Sequence, residues 1–325
     1  MNPAFSVIFL TTLIGAGQGL FLALFTLQSY AAFGLLPKEA DGFYATGSLI
    51  ALAFLALGLV ASFFHLGHPE RAWRAASQWR TSWLSREVIV LPTFMGVVFC
   101  YGLMHFLHWK PQVATLPSGV PVDLSDLFGI FGTMLAFVLF GCTAMIYACL
   151  KFLREWNSPL TVVNYILLGG ASGFVLAAFY ASVAAPELTK FFSGWAFIIT
   201  FLGLLGRIAS LVRNKRLRPK STIQTAIGVK HPKIVQKSVG FMGGSFNTRE
   251  FFHGKSEAFF KMLKPAFLVF AFVLPLALLA ASFSVASAML AGFAFIVQYG
   301  GLLAERWYFF AEANHPQNLY YQSIG

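Results

Sequence analysis

Long apolar stretches separated by short polar connections dominate the chain. A helix of about 20 apolar residues crosses the hydrocarbon core of a bilayer, and it pairs its own backbone groups there. The pattern therefore predicts an all-α integral membrane protein, a bundle of eight transmembrane helices. The predicted spans cover residues 4–34, 44–66, 87–109, 127–150, 159–185, 190–212, 265–284 and 286–311.

Two short segments in different spans resemble each other. GAGQGLFLAL (15–24) in span one is similar to GGASGFVLAA (169–178) in span five. The spans are four apart and run in the same direction, as a four-plus-four repeat would require. Small residues at this spacing also let two helices pack closely without common ancestry. Both explanations stay open.

The polar connections divide the chain into three parts. Residues 1–212 hold spans one to six, with a candidate site in the first four. Residues 213–264 form a basic loop that begins with RNKRLRPK, and residues 265–325 hold spans seven and eight and the tail. Anchoring to anionic lipid headgroups is one interpretation of the loop. Its mixed aromatic and glycine content favours docking on a partner protein, with Lys230, Lys233 and Arg249 as contacts.

Composition and charge support a membrane protein and indicate its orientation. Hydrophobic residues make up 58% of the chain, and charged residues 11%. Twenty of the 23 Lys and Arg residues fall on one side of the predicted bundle. Because Lys and Arg concentrate in cytoplasmic connections, we expect both termini in the cytoplasm. The basic residues lie next to the membrane, so nucleic-acid binding is not expected. Span one lacks a basic start and is too long for a signal peptide.

The connection after span two concentrates polar chemistry at one membrane edge. It reads SFFHLGHPERAWRAASQWRTSWLSRE over residues 62–87. Ionisable residues at membrane depth are functional candidates, here His65 and Glu87. A His that hydrogen-bonds a quinone oxygen and a carboxylate that transfers protons suit quinone chemistry. The alternatives are an interfacial His65, and a Glu87 stabilised by the helix dipole or by Arg86.

Further polar residues near this edge extend the candidate site. Gln18 lies between glycines in span one, and Tyr147 lies near the end of span four; both are expected to line a cavity towards His65, with helix–helix hydrogen bonding as the alternative. Residues 69–80 predict a short interfacial helix. The three arginines of this helix and the arginine that follows it in the sequence are expected to contact lipid phosphate or an acidic partner. They are Arg71, Arg74, Arg80 and Arg86.

The sequence argues against redox metal groups within this chain. Its three Cys form no CxxC motif, so we expect no iron–sulfur cluster. His105 and His108 share one helical face at the edge opposite His65, which disfavours a bis-histidine haem; interfacial positions are expected for both. Glu305 and Arg306 are expected to neutralise each other. The sequence contains no metal-ligand cluster, P-loop or catalytic triad.

Three motifs resemble a known family of membrane anchors. HPERAWRA (68–75), SWLSRE (82–87) and the opening NPAFSVIFLTTLIGAGQGLFLALF are similar to the DmsC family, the anchor subunits of dimethyl sulfoxide reductase-type molybdoenzymes. The resemblance implies a haem-free bundle in the bacterial inner membrane. It also implies electron exchange between ubiquinone or menaquinone and a four-cluster iron–sulfur subunit, which serves a molybdopterin catalytic subunit. The quinone residues would be His65 and Glu87, with Gln18, Tyr147 and Arg71 beside them.

The long loop narrows this expectation. IQTAIGVKHPKIVQKSVGFMGGSFNTREFFHG (223–254) resembles the branch of the family associated with cytoplasmic sulfite oxidation, the SoeC type. We therefore predict electron flow from sulfite, through the partners, into quinone. The alternative is quinol oxidation for a dimethyl sulfoxide or related reductase. A secondary transporter is a remote alternative, because transporters place their ionisable residues near mid-bilayer.

Overall fold

The computed structural model describes residues 1–117, 119–219, 221–235, 237, 251–284 and 288–320. Seven helical segments in this part of the sequence are long and apolar enough to cross a membrane. The prediction of an all-α, multi-pass membrane protein is confirmed. The first six are α1 (Phe5–Ala32), α2 (Asp41–Phe63), α3 (Trp83–Phe106), α4 (Leu124–Ala148), α5 (Pro159–Ala184) and α6 (Thr189–Lys215).

The seventh segment is a composite helix with an irregular centre. It consists of α8 (Glu257–Leu268), a π-helix (Val269–Val273) and α9 (Leu274–Ser284). Pro275 has no N–H, so it cannot bond the carbonyl of Ala271 four residues earlier. That carbonyl accepts instead from Gln298 Nε2 at 3.5 Å. Pro92, by contrast, lies within the continuous helix α3.

The predicted eighth span coincides with helix α10 (Ala288–Glu312). This helix is 25 residues long and carries Glu305, Arg306 and Glu312. It is not among the seven segments that meet the length and hydropathy requirements within the described residues. The count of eight membrane crossings therefore stays a prediction.

Helix α1 lies at the centre of the bundle. It packs against α2, α4, α5 and α10, and its Leu20, Phe21 and Leu24 are completely buried. Helices α1 and α5 are also the two most buried spans. The central position of α1 explains why polar residues on it can contact several other helices.

The two similar segments of spans one and five pack against each other. A Cβ atom added at Gly19 of α1 would lie 2.4 Å from the carbonyl oxygen of Gly169 of α5, and one at Gly15 would lie 3.2 Å from the Gly169 Cα. The absence of side chains at these positions permits this close approach. Close packing therefore explains the shared small residues, and the internal duplication stays a prediction.

The connections differ in length and structure at the two edges. Helix α6 continues to Lys215, and α8 begins at Glu257, so helical structure enters both ends of the basic loop, which also holds the short helix α7 (Ile223–Ile227). Strands β1 (Gln112–Thr115) and β2 (Pro121–Asp123) form an antiparallel hairpin between α3 and α4. Short 3-10 helices cover Pro69–Gln78, Pro186–Leu188 and Pro316–Tyr320. The first of these confirms the predicted short helix after span two.

The start of α1 and the end of α10 lie at the same edge of the bundle. Ile8 packs in one buried cluster with Trp307 and Phe310 of α10, and with Leu153 and Trp156 of the α4–α5 connection. We call this the basic edge: it holds the α2–α3, α4–α5 and α6–α8 connections. The opposite edge, with the β-hairpin, is the far edge. The cytoplasmic location of the basic edge stays a prediction.

Candidate functional site

Glu87 is buried one turn inside the membrane helix α3. Ser82 caps the start of this helix by accepting from the Ser85 N–H at 3.3 Å, which satisfies one of the free N–H groups of its first turn. The Glu87 carboxylate is 7% exposed and accepts a hydrogen bond from the Thr143 hydroxyl of α4. Burial of an ionisable carboxyl at this depth is costly, which marks Glu87 as a functional candidate.

Arg86 is not the partner of Glu87. Its guanidinium donates to the carbonyl oxygens of Trp79 at 2.9 Å and Arg80 at 2.8 Å. It also lies over the Trp83 ring at 4.1 Å. Arg86 therefore connects the interfacial helix to the start of α3. The hydrogen-bond partner of Glu87 is Thr143, and not Arg86 as the sequence alternative proposed.

A small cavity lies beside Glu87 in the interior of the bundle. Its volume is about 20 Å³, enough for about one water molecule and too small for a quinone ring. Its polar lining comes from five helices. The residues are Gln18, Glu87, Thr143, Tyr165 and Arg306. The structure thus brings together Gln18 and Glu87, two of the five predicted quinone residues.

Gln18 also joins two helices. Its Nε2 donates to the carbonyl oxygen of Ala136 in α4 at 2.9 Å, and the side chain is 2% exposed. Helix–helix hydrogen bonding, the alternative from the sequence, is confirmed. Since Gln18 lines the cavity as well, the bond holds its side chain at the cavity wall.

Tyr147 lies behind the cavity in an aromatic cluster. Its ring stacks on Tyr165 at 5.9 Å between centroids and makes edge contacts with Trp156 at 5.3 Å and Phe310 at 5.3 Å. It does not line the small cavity. Tyr165, on which it stacks, does line the cavity.

His65 and Arg71 lie outside the buried cavity, at the surface of the basic edge. His65 follows the end of α2 and is exposed, although partial desolvation lowers the pKa of its imidazole below the usual value. The neutral ring is therefore favoured at pH 7. Arg71 Nε lies 3.6 Å from Glu70 Oε1. Helices α2 and α3 are packed neighbours, so His65 and Glu87 belong to the same edge at different depths.

Four of the six predicted partner and lipid contacts are exposed at the basic edge. Arg74 and Arg80 lie over the rings of Trp73 and Trp79, at 5.5 Å and 5.4 Å. Lys230 and Lys233 are exposed in the loop after α7. Arg249 lies outside the described residues. These placements leave the cations free to meet lipid headgroups or a protein.

Comparison with protein families shows to which family of membrane proteins the chain belongs. The family model described as the DMSO reductase anchor subunit, DmsC, matches residues 1–321. The chain belongs to the DmsC family. The C subunit of the sulfite dehydrogenase of Allochromatium vinosum is 57% identical over 324 residues, which is 100% of both proteins.

More distant relatives match parts of this DmsC-family protein. The C chain of the anaerobic dimethyl sulfoxide reductase of Haemophilus influenzae is 25% identical over 124 residues, 37% of this protein and 40% of its own length. The YnfH chain of an anaerobic dimethyl sulfoxide reductase of Escherichia coli is 24% identical over 195 residues, 57% of this protein and 64% of its own length. The predicted membership of this family is confirmed.

The structure of this DmsC-family protein corrects the Glu305–Arg306 expectation. Glu305 Oε1 lies 2.8 Å from Arg207 Nε, whereas Arg306 is 3.8 Å from Glu305 Oε2. The Arg306 guanidinium lies over the Tyr165 ring at 4.0 Å. The main partner of Glu305 is therefore Arg207 of α6, because both side chains are buried and extend towards each other in the interior of the bundle. The signal in the sequence was Arg207, which lies eight residues before the end of the apolar helix α6. It was not identified from the sequence as a buried charge, although arginines inside apolar helices are functional candidates.

The structure also corrects the expectation that His105 is interfacial. It is 1% exposed, not interfacial, and its Nδ1 lies 2.8 Å from Asp41 Oδ1. His108 Nδ1 lies 2.9 Å from the other oxygen of the same carboxylate, and Lys110 also donates to it. Since α2 begins where α3 ends, Asp41 collects three cationic or imidazole partners at the far edge. This cluster is remote from Glu87.

Proposed function

We propose that this protein is the quinone-reactive membrane anchor of a three-subunit molybdenum and iron–sulfur oxidoreductase. In this proposal a four-cluster iron–sulfur subunit and a molybdopterin catalytic subunit dock on the basic edge, and electrons pass between them and quinone. The observation that carries the proposal is the full-length match, at 57% identity, to the C subunit of a sulfite dehydrogenase. The same match supports sulfite as the electron source, and the ionisable residues of the basic edge are the basis for quinone as the acceptor.

The residues at the basic edge fit a quinone as substrate. The exposed, neutral imidazole of His65 offers a hydrogen bond to a quinone oxygen at the membrane surface. Glu87, held by Thr143, offers a proton from the interior. The cavity beside Glu87, at about 20 Å³, does not enclose a ring, so the proposed ring position is outside it, towards His65 and Arg71.

The reaction requires two electrons and two protons for each quinone. The sequence has no cysteine motif for a cluster, so the proposal assigns the electrons to the partner subunits. His65 orients the quinone, and Glu87 gives the two protons in turn to the two quinone oxygens and regains each from water. Reversal of the same steps would oxidise a quinol. The matches to two dimethyl sulfoxide reductase anchors support that direction as the second candidate. The family match favours either anchor role over a transporter.

The test is quinone reduction by the purified complex with sulfite as donor. His65→Arg should reduce the rate with a soluble quinone analogue by about 10-fold or more, because a general acid–base or hydrogen-bonding group contributes at least this much. Sulfite oxidation by an artificial acceptor should be unchanged. His68→Arg is the matched control, since this exposed His binds Glu70 at 3.0 Å and has no assigned role. Quinone reduction unaffected by His65→Arg would move the site away from this edge.

A wild-type complex that oxidises sulfite with neither acceptor would disprove the sulfite assignment. Dimethyl sulfoxide reduction driven by a quinol analogue would then be measured on the same preparation. Activity in that assay would establish the second candidate and leave the anchor role intact.

A further inference from the structure

Four charged residues of α6 and α10, three of them buried, have no assigned role in the proposed quinone chemistry. Arg207 lies 2.8 Å from Glu305 and 3.7 Å from Glu312, measured between side-chain N and O atoms. Arg306 lies 3.8 Å from Glu305. Arg207, Glu305 and Arg306 are at most 5% exposed. Two cations and two carboxylates give no net charge, so the group can exist in the membrane, but its burial remains costly without a function.

A second small cavity lies within this charged group. It has a volume of about 10 Å³, close to the minimum for one water molecule. Arg306 and Tyr165 line it together with Asn164, Arg207 and Glu305. Arg306 and Tyr165 also line the cavity beside Glu87. The two cavities therefore share a wall, and Tyr165 presents a hydroxyl there that can donate and accept.

The second cavity also adjoins the surface of the basic edge. Glu155 and Asn214 line it, and both residues also line a wide cleft of about 460 Å³. This cleft lies between the α4–α5 connection, the end of α6 and the C-terminal segment. Three spaces thus follow one another from the surface to Glu87, and each shares two residues with the next.

Unpaired polar atoms indicate that the second cavity holds water. Among the described residues, Asn164 Oδ1 and Arg306 Nε are buried without a hydrogen-bond partner in the protein. Such an atom destabilises the fold unless a partner satisfies it. Both side chains line the second cavity, where a water molecule could bond to both. Buried waters of this kind are a regular part of protein structure.

We propose that the cleft and the two cavities form a water-filled proton path from the basic edge to Glu87. This inference rests on the proposed function, because it supplies the protons that quinone reduction consumes. Each proton that Glu87 gives to a quinone oxygen is replaced by one from the cleft, and the electrons come from the iron–sulfur partner. Water and the Tyr165 hydroxyl carry the proton. Arg207 and Arg306 stay protonated, and Glu305 and Glu312 cancel the repulsion that their charges would exert.

The test compares two tyrosines on helix α5. Tyr165→Phe removes the hydroxyl at the shared wall and keeps the ring. Tyr180→Phe is the matched control, since it makes the same change near the other end of the helix, where the hydroxyl donates to the Phe43 carbonyl. For Tyr165→Phe we expect sulfite-driven quinone reduction to fall about 10-fold, with a larger ratio of rates in H₂O and D₂O than in wild type. Tyr180→Phe should match wild type in both measurements.

A second variant interrupts the path at a different point. Asn164→Leu replaces a polar wall of the second cavity by an apolar one of similar size, and the same fall and isotope effect are expected. Sulfite oxidation by an artificial acceptor shows in each case whether the complex is assembled. Quinone reduction and isotope ratio equal to wild type in either assembled variant would overturn the path. Failure of the proposed function would differ: wild type would not reduce quinone, or Glu87→Gln would reduce it at the full rate.

Discussion

Individual polar residues in this bundle are paired with partners from other helices. Glu87 accepts from Thr143, Gln18 donates to the Ala136 carbonyl, and Asn164 Nδ2 donates to the Ser210 hydroxyl at 2.8 Å. In a membrane such bonds replace the hydrogen bonds that water would supply. The residues that matter for chemistry are therefore also part of the packing, and their substitutions must be judged by assembly as well as by activity.

Glu305 is predicted to be essential for stability. Glu305→Gln removes the partner of Arg207 and leaves a buried guanidinium poorly compensated, which costs about 3–5 kcal/mol when one member of a buried pair is lost. The free energy of unfolding in detergent, or the midpoint of thermal inactivation, measures the effect. Glu257→Gln is the control. It breaks the exposed pair with Lys261 at 2.7 Å, and no measurable change is expected. Equal stability of the two variants would contradict the role given to Glu305.

At the scale of elements, helices α1 and α5 approach each other closely through glycines. Their glycines meet at positions 19, 169 and 173, and a Cβ added at Gly173 would lie 2.1 Å from the backbone of Gly19. Gln18 of α1 and Tyr165 of α5 line the same cavity beside this contact. The small residues of the two similar segments thus set the distance on which the site depends.

Gly19→Ala is predicted to disturb this contact. The new methyl group would lie 2.4 Å from the Gly169 carbonyl oxygen, so the helices must separate, and overpacking of this kind costs about 1–3 kcal/mol. Gly141→Ala on α4 is the control, because a Cβ there meets nothing within 4 Å and alanine favours the helix by up to about 1 kcal/mol. The thermal midpoint of the purified complex should fall for the first variant and not for the second.

At the scale of the whole molecule, the basic residues and the buried chemistry share one edge. Glu87, the charged group of α6 and α10 and the wide cleft all open towards the edge that carries most of the Lys and Arg residues. A partner docked there would lie next to both the quinone residues and the proposed proton path. The partners therefore dock on the side of the membrane to which this edge belongs. The protons of the proposed path come from the same side.

Labelling of single cysteines tests the predicted orientation. In a variant without Cys100, Cys142 and Cys149, Thr115→Cys places a thiol in the far-edge hairpin, and Ser221→Cys places one near the basic edge. Both positions are exposed. An impermeant maleimide should label the first in intact cells and the second only after permeabilisation, because basic connections stay in the cytoplasm. The reverse pattern would put the basic edge outside and contradict the cytoplasmic docking of the partners.

The sequence by itself determined the membrane spans, the edge with the basic residues and the candidacy of Glu87. These features are local, since the length and apolarity of a segment and the charges beside it need no knowledge of neighbours. Only the tertiary structure decided which residues meet. Helices that are apolar on most of their surface do not reveal which face packs inwards. The pairing of Glu87 with Thr143, of Glu305 with Arg207 and of His105 with Asp41 depends on the rotation of each helix about its own axis.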